Sequence, residues 1–191
     1  MPRTKQEHIA AFDDATRRLM TRVSTMKIPP EFKPLYNMSD VVYKFRSAFL
    51  IPELRHAVLA KKYESERISS GRFAAGFCGI ASYTWSHLFR MPNGDEVWRI
   101  KHYKNNRTRY GLSDHVWMEN KFDGSILDLA FDQSIDEDGT FVEIPYDLGI
   151  DADEYFEFER AYKFAEYLNM NIDLPDIVRG NIARHIDTGR D

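Results

Sequence analysis

The sequence has only one cysteine, Cys78, among its 191 residues. A lone thiol excludes an intramolecular disulfide and any zinc or iron–sulfur site built on several cysteines. Long hydrophobic runs are also missing, since no apolar stretch approaches the roughly 18 residues that a membrane span needs. The N-terminal sequence MPRTKQEHIAAFDD is charged and lacks the apolar segment of a secretory signal. We therefore expect a cytoplasmic protein without a membrane partner.

An excess of charge of one sign is absent as well. The chain has 26 lysines and arginines against 30 aspartates and glutamates, which gives a formal net charge of -4. So small and mixed a charge argues against nucleic acid as the main partner. Hydrophobic residues make up 43% of the chain and aromatic residues 14%. That content is enough for the core of one domain over residues 1–191.

The spacing of apolar residues predicts a mainly helical first third. Apolar residues recur at helical intervals over residues 5–23, and the prolines that follow break the pattern. Ser39 is a candidate N-cap for a second helix, and Pro52 is a candidate first-turn residue of a third. A further helix holds Cys78 in its first turn and ends before the Pro-Asn-Gly sequence at 92–94.

Strands are predicted in the middle of the chain. Residues 96–103, 115–120 and 125–131 alternate between two faces, as strands do. The Asp-Gly pair at 123–124 favours a hairpin between the last two. Helices followed by an antiparallel sheet and then by more helices indicate an α+β domain.

The C-terminal third is predicted to be helical again. Aromatic residues on a charged background favour a helix over residues 151–170, and a shorter one is expected over 176–185. The single domain then divides into a helical extension over 1–68, a catalytic α+β core over 69–148 and C-terminal helices over 149–191.

Cys78 is the first candidate for chemistry. A cysteine nucleophile acts as a thiolate, which the positive end of a helix dipole and a nearby imidazolium both favour. Gly76 and Gly79 leave the sulfur of Cys78 unshielded, and free N–H groups in the first helical turn can donate to a developing oxyanion. A buried structural cysteine is the alternative interpretation.

His115 and Asp128 are the candidates for the base and for the group that orients it. Asp128 lies among apolar residues, where a carboxylate is costly to bury without a partner. The two face each other directly if a loop covers residues 120–123. A tight turn at 123–124 would instead place His115 opposite Asp132, which lies on the same face as Asp128. Both registers stay open, and Asp128 is preferred because it lies inside the apolar strand.

Two further groups are weaker candidates. His102 and Asp114, together with His115, match no closed zinc motif, so neither a metal ion nor a cofactor is expected. Gln133 either donates a hydrogen bond in the active site or only caps the end of the third strand, and the second interpretation is favoured.

The order and spacing of the three main candidates resemble the transglutaminase-like branch of the papain-like cysteine enzymes. The matching segments are GFCGIAS around Cys78, DHVWMEN around His115 and ILDLAFDQ around Asp128. A tryptophan follows the histidine by two residues, and a glycine lies in the turn before the aspartate. The resemblance covers roughly residues 70–135. It implies a papain-like core, in which the helix carrying the cysteine packs on an antiparallel sheet, and a Cys-His-Asp triad.

Arylamine N-acetyltransferases share this architecture, and their cysteine and aspartate segments are also similar to those around Cys78 and Asp128. RFAAGFC stands where those enzymes have an Arg-Gly-Gly approach to the cysteine. No glutamine lies just before Cys78 as it does in papain, so the side-chain half of an oxyanion hole has no assigned residue.

The resemblance implies a thiol-dependent acyl-transfer enzyme. The preferred form is a cysteine peptidase or amidase that cleaves a peptide or isopeptide bond through a Cys78 thioester, with a protein or peptide as substrate. One alternative is transfer of the acyl group to an amine, as in transglutaminases and acetyltransferases. The other is a catalytically silent fold that serves for binding.

Overall fold

A computed structural model describes residues 3–59, 71–104, 114–134, 143–152 and 158–172. Within these ranges the chain forms five α-helices and a four-stranded antiparallel sheet, a mixed α+β architecture. The helices are α1 (Lys5–Thr25), α2 (Met38–Ala48), α3 (Pro52–Val58), α4 (Cys78–Leu88) and α5 (Phe158–Tyr167). The strands are β1 (Trp98–Tyr103), β2 (His115–Asn120), β3 (Ile126–Leu127) and β4 (Ile150–Asp151). Two short 3-10 turns cover Phe131–Ser134 and Tyr146–Leu148.

The N-terminal helices begin where local capping chemistry allows. The Thr4 hydroxyl accepts from the Glu7 N–H in a capping box that starts α1. Pro52 begins α3, as predicted. The prediction that Ser39 caps α2 is wrong, because the Asn37 side chain accepts hydrogen bonds from the N–H groups of Ser39 and Asp40, at 2.9 and 3.2 Å. Asn37 therefore caps the helix two residues earlier.

The sheet has the strand order β3-β2-β1-β4, and all its neighbours are antiparallel. β1 and β2 pair over their full lengths, with Trp98 opposite Asn120 and Tyr103 opposite His115. β2 is buried on both faces along almost its whole length, and α4 packs against it. The interior position of β2 therefore places His115, its first residue, away from solvent.

The third predicted strand is wrong beyond its first residues, because β3 ends at Leu127. Glu119 pairs with Ile126, so a four-residue loop over 121–124 joins β2 to β3. Both predicted registers are therefore wrong. The loop closes in this way because the Asp123 carboxylate accepts from the Ser125 N–H at 2.9 Å, and Gly124 adopts a φ of 70°.

One cluster of buried hydrophobic side chains contains members of all five helices and of β1, β2 and β3. The described parts of the predicted helical extension thus share a core with the segment that carries the cysteine. On the C-terminal side, α5 occupies only part of the helix predicted over 151–170, since Ile150–Asp151 forms a strand on the edge of the sheet. The helix predicted over 176–185 lies outside the described residues. No helix in the described ranges combines the length and apolar character required to cross a bilayer.

Candidate active site

Cys78 is the first residue of α4, in agreement with the predicted position in the first turn of a helix. Gly76, with a φ of 80°, turns the chain into the helix, and the first bond of the helix runs from the Ala81 N–H to the Phe77 carbonyl at 2.8 Å. The buried Phe77 ring stacks on Phe49 with centroids 4.2 Å apart, which anchors this turn. Cys78 itself is half-buried. Its N–H group and those of the next two residues have no acceptor inside the helix, so they are available to a bound anion.

His115 and Asp128 form a buried hydrogen-bonded pair. The Nε2 atom of His115 lies 2.6 Å from Oδ2 of Asp128, and the two side chains are 0% and 4% exposed. They are not directly opposite each other, because β3 ends before Asp128. If the β2–β3 register is continued by one residue, Asp128 faces Trp117, two residues along β2 from His115. The two side chains meet diagonally across the strands, at a separation that long side chains on neighbouring strands can bridge.

The Asp128 carboxylate has three donors. Its Oδ1 accepts from the Ala130 N–H at 2.9 Å, and its Oδ2 accepts from the Tyr146 hydroxyl at 3.0 Å as well as from His115. Such donors compensate for the desolvation of a buried charge. Burial, followed by the charge of Asp128, raises the pKa of Tyr146, so the phenol keeps the proton that it donates.

The electrostatics of the pair favour an imidazolium. Burial by itself lowers the pKa of His115, but the charge and hydrogen bond of Asp128, together with the interaction with Cys78, raise that pKa to about 10. Cys78 also packs against the hydrophobic cluster that contains Val116, the neighbour of His115 in β2, so its sulfur lies near the ring. Because Nε2 is bound to Asp128, Nδ1 is the nitrogen left for the thiol.

Gln133 also belongs to this site. Its side-chain nitrogen contacts Nδ1 of His115. The interpretation favoured from the sequence, a cap at the end of the third strand, is wrong, because β3 ends at Leu127 and Gln133 lies in the 3-10 turn Phe131–Ser134. An amide N–H that points at Nδ1 can donate to a neutral ring. The raised pKa of His115 instead corresponds to an imidazolium that carries a hydrogen on Nδ1. The orientation of this amide therefore depends on the protonation of the ring.

Asp132, the alternative orienting residue, has a different partner. Its two carboxylate oxygens accept from NH1 and NH2 of the fully buried Arg46 on α2, at 2.6 and 2.5 Å. Arg46 NH1 also donates to the Leu129 carbonyl at 3.0 Å. The guanidinium therefore fixes the chain on both sides of residues 130–131, and with it the turn that presents Gln133.

Arg46 is a functional candidate that the sequence analysis missed. A signal for it was present, because Arg46 follows Val42 by one helical turn and precedes Phe49 by three residues, which places a cation on the apolar face of α2. A buried arginine requires a carboxylate partner, and Asp132 is that partner.

Two aromatic rings cover the His115–Asp128 pair. Trp117 stacks on His115 with ring centroids 6.0 Å apart, and the Trp117 and Tyr146 rings form a T-shaped pair with centroids 5.2 Å apart. Gly149 allows this arrangement, because a Cβ atom at that position would overlap the Trp117 ring. The rings cover the pair on the side of His115, and this shielding from water strengthens its electrostatic interaction.

A cavity of about 620 Å³ adjoins the pair on the side of the carboxylate. Its walls include Leu19, Ile126 and Phe131, and Asp128 and Tyr146 also face it. Arg22, one of two arginines of α1 beside the cavity, supplies positive charge. The volume falls within the range of small-molecule sites.

The described ranges contain no group of three or more His, Cys, Asp or Glu side chains placed to hold a metal ion. His102 Nε2 lies 3.9 Å from a carboxylate oxygen of Asp114. Comparison of the chain with models of protein families, with the curated proteins and with solved structures finds no match. The functional argument therefore rests on the geometry of the site.

Proposed function

We propose that this protein is a thiol-dependent acyl-transfer enzyme with a papain-like core, in which Cys78 is the nucleophile, His115 is the base and Asp128 orients the base. The observation that carries the proposal is the buried His115–Asp128 pair, whose histidine interacts with Cys78 at the start of α4. A nucleophile, a base within hydrogen-bonding reach and a third group that fixes the base form the general pattern of such enzymes.

The first half of the reaction acylates the sulfur. Cys78 gives its proton to Nδ1 of His115, and the thiolate attacks the carbonyl carbon of the substrate. A C–S bond forms while the π electrons of the carbonyl move onto its oxygen. When this intermediate collapses, the C–N bond breaks, the amine takes the proton from His115, and a Cys78 thioester remains.

The second half releases the acyl group. In hydrolysis, water gives a proton to His115 and attacks the thioester carbon, and the expelled Cys78 sulfur recovers that proton. We propose cleavage of a peptide or isopeptide bond as the preferred reaction. If an amine takes the place of water, the same residues perform acyl transfer, so the product distinguishes the two reactions.

Asp128 serves both halves in the same way. Its bond to Nε2 turns Nδ1 toward the sulfur, and its negative charge stabilises the imidazolium that forms in each step. Tyr146 and the Ala130 N–H hold the carboxylate in place. The base therefore keeps one orientation throughout the cycle.

The reactivity of the single thiol tests this proposal. We expect iodoacetamide at pH 6.5 to alkylate the wild type at least about tenfold faster than His115→Gln, because an ion pair supplies thiolate below the ordinary thiol pKa of about 8.5. Cys78→Ala should take up no label, since the chain has one cysteine. Circular dichroism checks that each variant is folded. Equal alkylation of the wild type and His115→Gln would overturn the proposal.

Ligand binding without catalysis is a second candidate, and the cavity beside Asp128 is the observation that favours it. Apolar walls with Arg22 beside them suit a small apolar molecule that carries a negative charge. Calorimetry with decanoate, with decanol as the neutral comparison, tests this function. Binding of decanoate that Ile126→Trp abolishes, together with an unreactive Cys78, would favour it. No heat with either probe would reject it.

A further inference from the structure

We infer that the side-chain amide of Gln133 is the oxyanion-hole donor. No glutamine lies just before Cys78 to supply one. The inference rests on the acyl-transfer function proposed above and adds a fourth catalytic residue to it. In this arrangement the donor comes from the turn that follows Asp128, and it reaches the reacting sulfur from the side of the histidine.

The Gln133 amide lies beside the ring nitrogen that serves the thiol. Its nitrogen contacts Nδ1 of His115, and Nδ1 is the atom that receives the proton of Cys78, because Asp128 occupies Nε2. A group that touches this atom lies next to the sulfur. The carbonyl oxygen of a substrate bonded to that sulfur develops its charge in the same region.

The protonation of the His115 ring decides whether Nδ1 can accept a hydrogen bond from Gln133. A neutral ring with its hydrogen on Nε2 presents a lone pair at Nδ1, to which the Gln133 N–H donates. Once Nδ1 has taken the proton of Cys78, it is a donor itself, and two donors cannot share one hydrogen bond. In the thiolate–imidazolium pair that attacks the substrate, Nδ1 already carries a hydrogen, so the amide N–H is available to the oxyanion as it forms.

The Gln133 N–H has one hydrogen-bond acceptor at each stage of the reaction. The Gln133 N–H exchanges one acceptor, Nδ1, for another, the oxyanion, while the backbone N–H groups in the first turn of α4 bind the same oxygen. Collapse of the intermediate returns the proton from Nδ1 to the leaving amine. The ring is neutral while the thioester is present, and Gln133 can donate to Nδ1 until the next proton transfer.

The backbone around Gln133 is fixed, as an oxyanion hole requires. Asp132 precedes it, and the buried Arg46 holds both the Asp132 carboxylate and the Leu129 carbonyl. Because the turn is anchored by groups outside the reaction, only the side chain of Gln133 has to move. A donor held in this way needs little reorganisation during the chemical step.

Two probes of Cys78 separate an oxyanion role from a role through His115. Alkylation by iodoacetamide reports the thiolate and forms no oxyanion, whereas acylation by 4-nitrophenyl acetate passes through one. We expect Gln133→Ala and Gln133→Met to lower the acylation rate about 100-fold, as the loss of an oxyanion donor does. Their alkylation rates should stay within about twofold of wild type. Gln6→Ala, which changes an exposed glutamine on α1, is the matched control and should change neither rate.

The results separate failure of the Gln133 role from failure of the acyl-transfer function. Equal losses in both rates would show that Gln133 acts only by positioning His115, and no loss in either would exclude it from the mechanism, so both results overturn the inference. If the wild-type protein is neither acylated nor alkylated faster than His115→Gln, the acyl-transfer function itself fails and this inference with it. Gln133→Met keeps a side chain of similar length and adds no charge, so the test stands if Gln133→Ala does not fold.

Discussion

Arg46 and Asp132 form a buried bidentate ion pair, at 2.6 and 2.5 Å, although 86 residues separate them in the sequence. The pair joins α2 to the turn that follows Asp128. Arg46 also lies over the Phe12 ring, with its guanidinium carbon 3.8 Å from the ring centroid. The N-terminal helices thus contribute to the candidate site, because they fix the backbone that carries Asp128 and Gln133.

Breaking this pair should destabilise the fold. Asp132→Asn leaves the Arg46 guanidinium buried without its full counter-charge, and we expect the free energy of unfolding to fall by about 3 kcal/mol. Urea denaturation measures the change. Asp14→Asn is the matched control, because it breaks an exposed Asp–Arg pair of 2.7 Å on α1 and should cost far less. Equal losses for the two variants would contradict a structural role of the buried pair.

The sequence predicted the elements whose signals are local. Helical spacing placed Cys78 in the first turn of α4, and the alternation after His115 predicted β2 with its observed bounds. These elements carry the nucleophile and the base. The choice of Asp128 over Asp132 also agrees with the contacts of His115, since burial among apolar residues required a partner for that carboxylate.

The sequence could not predict how the chain leaves the sheet after β3. The alternation over 125–131 favours a strand, but the Asp128 carboxylate accepts from the Ala130 N–H two residues later and turns the backbone away. A side-chain hydrogen bond of this kind competes with the strand ladder and leaves no periodic signal. The contacts of Arg46 were missed, and an active-site contact of Gln133 was the less favoured interpretation, because both depend on that turn and on packing between distant segments.

Asp128→Asn should abolish most of the activity and leave the fold in place. An amide removes the charge that stabilises the imidazolium, and it can bias the ring toward the other tautomer, so we expect the rate of acylation by 4-nitrophenyl acetate to fall by orders of magnitude. The comparison is with Asp147→Asn, an exposed aspartate in the neighbouring 3-10 turn, which should be silent. Similar rates for the two variants would reduce the site to a Cys78–His115 dyad.

The stability of the protein should decrease in alkaline solution because of His115. Its pKa in the folded state is about 10, against 6.5 as the ordinary value. Between these values the folded state binds more protons than the unfolded state, so the free energy of unfolding falls as the pH rises. The contribution is fully present below pH 6.5 and is lost as the pH passes 10. Urea denaturation between pH 6 and 10 should show a steeper decline for the wild type than for His115→Gln, and parallel curves would refute the raised pKa.

Gly149→Ala should disturb the aromatic cover of the site. The added methyl group would overlap the Trp117 ring, which stacks on His115, and overpacking of this kind costs about 1–3 kcal/mol. Backbone strain is not the cause, because no positive φ occurs at Gly149. We therefore expect a lower free energy of unfolding and slower alkylation of Cys78, since a displaced Trp117 admits water to the His115–Asp128 pair.

A second substitution separates this overlap from other effects of the alanine. Trp117→Phe shortens the ring and makes room for the methyl group, so Gly149→Ala should cost less in the Trp117→Phe background than in the wild type. The double-mutant cycle measures this coupling in both the free energy of unfolding and the alkylation rate. Strictly additive effects would show that the two residues do not meet, and the aromatic cover would then have no part in the reactivity of Cys78.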